Sequence, residues 1–535
     1  MRKVFRLIHR CLLIGIVSMY VFTGSSSLFA QLAQPARFET EVKYSDRNYS
    51  IVSMHKEGLA LIHDNEKYED GKKIWELTLL DTALNSSWSG TMKLNARLQF
   101  IGYEYLPGNV YLLFRNGETN ANDLHLIHHR VSTHETSTYE IKHQVDFRIT
   151  HFSMAGNNAV FGGYIVREPA VFLYSTLENQ TKVVPGFFLH DTELLDLRVN
   201  HNNTFNVLMT ERGSKEQKKL IVRTYDENGT MLMDDIISVD RDVNLIAGMT
   251  SSLLKDEMIV IGTYGIGTSR QATGLFSVMV DPFSEQTIRY TDLTQFNHLI
   301  DYVGTKRVPK IKQSAHEQRL KGKSSSFRSN VALVRIQELP KGFLLLAEVY
   351  NSSTGSSNLN YWGSPYGYGN GYSPYGPYGG FNNRYYNTPY SFNNNNPIHN
   401  TEVKMLESAV ILFDDTGKPD WDESIDLDDI KYPALEQVSD FIDNGKGITL
   451  AYKKDSEVFS KRAFIHDSNS EMDTTKIKLK NETDVVRNEA EGDGGMRQWY
   501  TNYFYTWGYQ SIKDPARKAE DPNRYVFYIN KLRPE

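Results

Sequence analysis

Cysteine is nearly absent: Cys11 is the only one in 535 residues, so a disulfide-stapled scaffold is excluded. Beyond the first thirty residues no stretch approaches the roughly 20 consecutive apolar residues that a membrane span requires. The chain also lacks an excess of positive charge, with a formal net charge of −6, which argues against nucleic acid as a partner. No Gly-x-Ser-x-Gly elbow, phosphate-binding glycine loop or His-Glu-x-x-His pair occurs, so the familiar hydrolase, nucleotide and zinc-protease signatures are missing. What is present is ample: 40% hydrophobic and 23% charged residues exclude a disordered or collagenous chain and allow a large core. The 32 tyrosines nearly equal the 37 glycines, an aromatic load unusual for a cytosolic enzyme.

Residues 1–30 read as a removable export signal. Arg2, Lys3, Arg6 and Arg10 form a basic start, Leu12 to Phe22 an apolar run, and small residues lead to a cleavage point at Ala30. The segment contains Cys11, four basic residues and no acidic one. The mature chain is therefore expected to be free of cysteine, at a net charge of −10 with 55 basic residues against the 65 acidic ones. Export without disulfides suits a periplasmic, envelope or surface protein stabilised by its core. No transmembrane span is expected in the mature chain.

From residue 46 onward the periodicity is two, in short runs bounded by Gly, Asn, Asp and Ser. Gly58–His63, Asn109–Phe114, Asn158–Tyr164, Phe205–Met209 and Glu257–Ile261 look like one strand recurring about every fifty residues, and Lys341–Leu346 and Gly445–Leu450 continue it at wider intervals. A second feature keeps the same register: Asp81, Asp226, Asp281 and Asp414 each stand seven residues before a large apolar side chain. Asp can cap a turn through backbone N–H groups and Gly supplies positive φ, so these mark hairpins between the two outer strands of each unit. Four short strands per fifty-residue unit is the pattern of an all-β β-propeller with four-stranded antiparallel blades. Residues 31–535 are thus expected to form a single propeller domain. Seven units fill 46–484, and an eighth blade is expected from the C-terminal strands, closed by the N-terminal strand Arg37–Lys43; seven blades with a C-terminal extension is the alternative.

The stretch Asp414-Asp-Thr-Gly-Lys-Pro-Asp-Trp421 resembles the Asp-Thr-Gly-Lys then Trp signature of quinoprotein-type propeller repeats and, more loosely, the Asp-box turns of sialidase propellers. The resemblance covers eight residues and implies a propeller with Trp88 and Trp421 packed between blades. It implies neither a quinone cofactor nor sialidase activity, because fold alone does not give function. The Ala30-Gln31 junction and the Asn/Tyr-rich tract described next resemble features of exported proteins of the Bacteroidota.

Two insertions break the period. Residues 292–328 combine an expected helix over 293–302 with a basic stretch in which Lys306, Arg307, Lys310, Lys312, Arg319, Lys321, Lys323 and Arg328 face Glu317 alone. This local reversal of sign makes Lys310, Lys312, Arg319, Lys321 and Lys323 candidate contacts for an anionic partner, the bland reading being a solvated loop. Residues 351–400 are rich in Gly, Tyr, Asn, Pro and Ser, with Arg384 the only charge, and are expected to form a disordered loop. Within it Trp362, Tyr366, Tyr368, Tyr375 and Tyr378 are candidates for stacking on a sugar or a protein.

Six histidines fall between His125 and His151 without the close same-face spacing that starts a metal site, so no metal is expected and the histidines read as structural. The acidic run from Asp414 to Asp429 lacks the order of a calcium loop and reads as a solvated face. No cofactor is expected. The function these features favour is a non-catalytic, exported binding or scaffolding module of a bacterial envelope, engaging an envelope protein complex or a polysaccharide through ring-face loops. The alternative is a carbohydrate-active enzyme, a glycoside hydrolase or lyase, with carboxylates at the channel mouth, which would need no local motif.

Overall fold

The computed structural model describes residues 32–535 except for 47–48, 117–122, 143–144, 188–190, 212–217, 282, 284–285, 353–378, 381–402, 433–434, 468–469, 491–492 and 516–522. The chain folds into eight antiparallel sheets that succeed one another along the sequence, at 49–95, 98–142, 147–183, 192–238, 243–292, 330–426 and 439–476, with the eighth assembled from 485–534. The eight-bladed arrangement anticipated from the fifty-residue period is the one observed, and the seven-bladed alternative falls. The outer strand of blade 8 comes from the other end of the chain: Leu32–Glu41 lies antiparallel to Asn523–Pro534, with Phe38 opposite Ile529.

Each blade packs between two others, so its inner strands must be apolar on both faces. Val110 to Phe114, for example, are all buried. The buried side chains group into eight clusters, one for each junction between neighbouring blades, including the junction of blade 8 with blade 1 around Leu59, Leu61, Trp499, Tyr509 and Phe527. Trp421 lies in the cluster between blades 6 and 7, and Trp88 of blade 1 stacks on His134 and meets His129 at a tilt, both of blade 2, in keeping with the expected packing of both tryptophans between blades. The hairpin aspartates do what their spacing implies. The Asp81 carboxylate accepts from the N–H groups of Ala83 and Asn85, Asp226 from Asn228 and Thr230, and Asp414 from Thr416 and Lys418. Gly229 and Gly417 complete two of these turns at φ of 79° and 75°, where a side chain would be strained.

The ring is closed by buried polar contacts as well as by apolar area. Arg37 pairs with Glu39 at 2.9 Å, and Arg524 reaches Glu39 at 2.7 Å and also Asp484. Lys453 of blade 7 pairs with Glu489 of blade 8, which also accepts from Tyr528 and Ser456. Burial alone would raise the Glu489 carboxyl, but the Lys453 charge and these hydrogen bonds hold it below the ordinary glutamate value. The Trp499 indole donates to the Gly58 carbonyl at 3.0 Å, and Lys531 donates to Thr82 O at 2.8 Å while lying over the Tyr503 ring at 4.0 Å. The stretch Gln498–Tyr505, whose composition suggests one continuous strand, is instead broken at 499–503 by a turn between Gly495–Gln498 and Phe504–Lys513.

Candidate functional site

Both insertions leave the ring on one face. The first joins the outer strand of blade 5, Arg289–Asp292, to the inner strand of blade 6, Asn330–Glu338. The second joins Phe343–Ser352 to Val403–Phe413 within blade 6. Asn330 lies opposite Tyr350 and Ser352 opposite Val403, so all these strand ends share one rim.

The root of the first insertion is firmly held. Asp292 accepts from Thr294 N at 2.8 Å while the Gln295 side chain accepts from Asp292 N at 3.0 Å, a reciprocal cap. Phe296, Leu299 and Ile300 then bury themselves with Ile259, Val331 and Leu345 between blades 5 and 6. The expected helix over 293–302 is not there. Its apolar spacing is satisfied by two short 3-10 turns, Leu293–Gln295 and Asp301–Val303, and the α-helix forms later, at Val308–Leu320, started by Pro309. Asp422, on the outer strand of blade 6, accepts from the backbone N–H groups of Asn297, His298 and Leu299 at 2.8, 2.6 and 3.2 Å. Its neighbour Glu423 pairs with Lys461 at 2.7 Å. At 4% and 5% exposure, Asp422 and Glu423 correct the reading of 414–429 as a solvated face; Asp426, Asp428 and Asp429 do stand in solvent. Beside this root, burial pushes the Glu407 carboxyl up to about 8, and its Oε2 has no hydrogen-bond partner among the described residues.

The basic side chains divide into two kinds. Lys312 donates to Asn297 O at 2.8 Å and Arg319 to Thr294 Oγ1 at 2.9 Å, so both tie the helix to its root. Lys306, Arg307, Lys310, Lys321, Lys323 and Arg328 are exposed, and none forms an ion pair among the described residues. Of the second insertion, Trp362, Tyr366, Tyr368, Tyr375 and Tyr378 lie outside the described residues, as do the export signal and His143. Gly379–Gly380 is described: it pairs with Tyr103 and Glu104 on the free edge of the inner strand of blade 2, the edge that faces the ring axis.

Buried carboxylates elsewhere serve the junctions between blades. Glu104 accepts from Ser153 Oγ of blade 3 at 3.0 Å, and burial raises its pKa well above the ordinary value. Asp196 accepts from Thr250 N of blade 5 at 2.9 Å. Asp440 joins three blades, taking Arg335 of blade 6 at 2.9 Å and the Gln498 N–H of blade 8 at 2.8 Å. Glu348 accepts from Ser439 N at 2.8 Å. His128, His129, His134 and His151 are likewise spent on packing or on contacts between neighbouring rings and hydroxyls. His128 stacks on Tyr111, and burial pushes His129 down to about 4 and His151 to about 3, so these rings are neutral at pH 7. Among the described residues no group of three or more His, Cys, Asp or Glu side chains could hold a metal ion. No helix among them is long and apolar enough to cross a membrane.

No protein-family model and no curated protein matches the chain. Solved structures do. The polysaccharide lyase Uly1 aligns over 92% of this chain and 100% of its own, at 9% identity and a TM-score of 0.38. The Dos1 propeller aligns over 82% and 92%, at 10% identity and 0.36. Prolyl oligopeptidase B from Galerina marginata aligns over 91% of this chain and 56% of its own, at 6% identity and 0.39. Likenesses this distant carry no argument about what this chain binds or does.

Proposed function

We propose that this protein is an exported, non-catalytic binding or scaffolding propeller of a bacterial cell envelope, acting in the periplasm or at the cell surface. Its partner, an envelope protein complex or a polysaccharide, meets the face from which both insertions emerge. The observation that supports this reading best is the contrast within 292–328. The segment is anchored by buried apolar side chains and by three backbone hydrogen bonds to Asp422, yet it holds six basic side chains in solvent with no counter-charge among the described residues. A loop with no task needs no such anchoring, and clustered positive charge on an otherwise acidic chain concentrates anionic ligands at one place. Export rests on the residue pattern of 1–30.

The competing reading, a carbohydrate-active enzyme, needs two carboxyls set against one bond. Among the described residues the carboxyls with strongly raised pKa, Glu104 and Glu407, belong to blades 2 and 6, and the first is sealed against Ser153. The test is capture from envelope extracts and by immobilised anionic polysaccharide, comparing the protein with a Lys310→Glu/Lys321→Glu/Lys323→Glu variant and with a deletion of 353–402. Loss of the captured partner in either variant supports the proposal, and an unchanged partner in both ends it. Sugar release by the purified protein would favour the enzyme instead.

A further inference from the structure

The insertion 292–328 is fastened along one face of one strand. On Pro419–Asp426 the side chains of Asp422, Ser424 and Asp426 share a face by alternation, and the first two hold the root. Asp422 does so through the N–H groups of 297–299, and Ser424 by donating from Oγ to His298 O at 3.1 Å. The turn Asp301–Val303 follows and packs on both Pro419–Asp426 and Val403–Phe413. The third position differs from the first two. Asp426 accepts from Asp428 N at 2.8 Å, and directly opposite it on Val403–Phe413 stands Glu407, 2% exposed and with Oε2 unpartnered among the described residues.

Like charges directly opposite one another in a sheet repel, and a buried carboxylate loses its hydration without replacement unless it is paired. The charged and titratable groups around Glu407 supply no cation to pair with it. Asp301, on the root, adds another negative charge and is itself held by His298 Nδ1 at 2.9 Å. Asp422 is occupied by backbone donors, Glu423 is paired with Lys461 at 2.7 Å, and Lys404 of the same strand is taken by Asp429 at 2.6 Å. The Tyr302 hydroxyl is bonded to Ser329 Oγ at 2.8 Å, Arg307 is exposed, and on the other neighbouring strand Glu407 lies opposite the apolar Val349. Burial, with the charges of Asp426 and Asp301 added to it, keeps the proton on this carboxyl at pH 7; Ser424 and the Tyr302 N–H offset that only in part. We infer that Glu407 is a proton-operated latch for the basic insertion: with its proton it lets the turn Asp301–Val303 lie over the two strands, and without it three carboxylates confront one another and the turn lifts off. The release reaches the basic helix, because Lys312 and Arg319 bind Val308–Leu320 to Asn297 O and Thr294 Oγ1 of the root. The latch concerns how the segment is held and not what it binds, so it does not rest on the function proposed above.

The test is amide exchange of the full chain at 297–303 from pH 5 to 9, corrected for the intrinsic pH dependence of exchange. A carboxyl that holds its proton more tightly in the docked state stabilises docking below its ordinary 4.5 and loses that contribution as pH rises to about 8. Protection of the root should therefore fall by about tenfold per pH unit, the signature of one proton, and level off above pH 8. Glu407→Gln, which keeps the shape of the protonated carboxyl, should hold protection at one level throughout. Asp426→Asn, at an exposed position and still able to accept from Asp428 N, should raise protection at pH 9 and leave it unchanged at pH 6, since Asp426 opposes only the ionised form. An equal fall in Glu407→Gln overturns the inference, as does an unchanged root in Asp426→Asn at pH 9. So does a root whose protection matches that of Asn158–Ile165 at every pH, which would mean that it opens only when the whole ring unfolds.

Discussion

The seam that closes the ring and the insertion-bearing rim of blade 6 use charge in opposite ways. At the seam, Arg37, Glu39, Arg524, Asp484, Lys453 and Glu489 are almost wholly buried, and each has a counter-charge within 4.0 Å. On the rim, Lys306, Arg307, Lys310, Lys321, Lys323 and Arg328 stand in water with none among the described residues. Buried charge is tolerated only when paired, and removing one partner of such a pair is costly; exposed charge costs little and stays available to a ligand. The comparison separates residues that keep the ring shut from residues free to bind.

Three experiments test this separation. The largest effect is expected at the seam, where Trp499→Ala removes a buried indole and its bond to Gly58. It should lower stability by about 3 to 5 kcal/mol in denaturant titration; a loss below 1 kcal/mol would show that the seam does not need this side chain. Next comes the pH dependence, whose sign should differ between the two regions. Glu407, at the root of the insertion, has its pKa raised from an ordinary 4.5 to about 8, so its contribution is complete below 4.5 and fades as pH rises toward 8. Relative to Glu407→Gln, the wild type should lose on the order of 1 kcal/mol per pH unit across that window. Glu489 at the seam has its pKa lowered, so its contribution is present above 4.5 and lost as pH falls through the lowered value. Glu489→Gln should therefore flatten the acid limb, and urea midpoints measured from pH 3 to 9 separate the two signs. The smallest effect on stability is expected for Lys310→Glu/Lys321→Glu/Lys323→Glu, within about 0.5 kcal/mol; a larger loss would show that these lysines are structural after all.

The parts of this architecture visible in the sequence are those whose causes are local or periodic. The Asp81, Asp226 and Asp414 turns satisfy backbone groups two and four residues away, so a short window contains the whole explanation. The closing strand was legible because seven units left both an unmatched N-terminal strand and an incomplete C-terminal blade. The helix was misplaced because apolar residues at 293, 296, 299 and 300 imitate helical spacing while burying themselves from turns, whereas Val308–Leu320 buries only Ala315. The role of Asp422 was invisible for a different reason: its three donors lie about 125 residues upstream, and nothing near it in the chain announces them. The inner strands of blades 2 to 6 also share a register shift, near Ile101, Thr150, Leu195, Ile246 and Val334, that no residue type marks.

The pairing of Leu32–Glu41 with Asn523–Pro534 imposes an order of events on folding. Glu39 meets Arg524 across 485 residues of sequence, so Leu32–Glu41 cannot take its place in the sheet until Asn523–Pro534 is there to pair with it. Contacts this remote form late, since a long loop must close before they contribute. Blades 1 to 7 can assemble one after another as they emerge, but the circle stays open until the final strand arrives. A truncated product should therefore be left with an exposed seam that quality control can recognise. The same dependence makes Asn523–Pro534 a checkpoint: only a chain that carries this strand can lock Leu32–Glu41 into the ring.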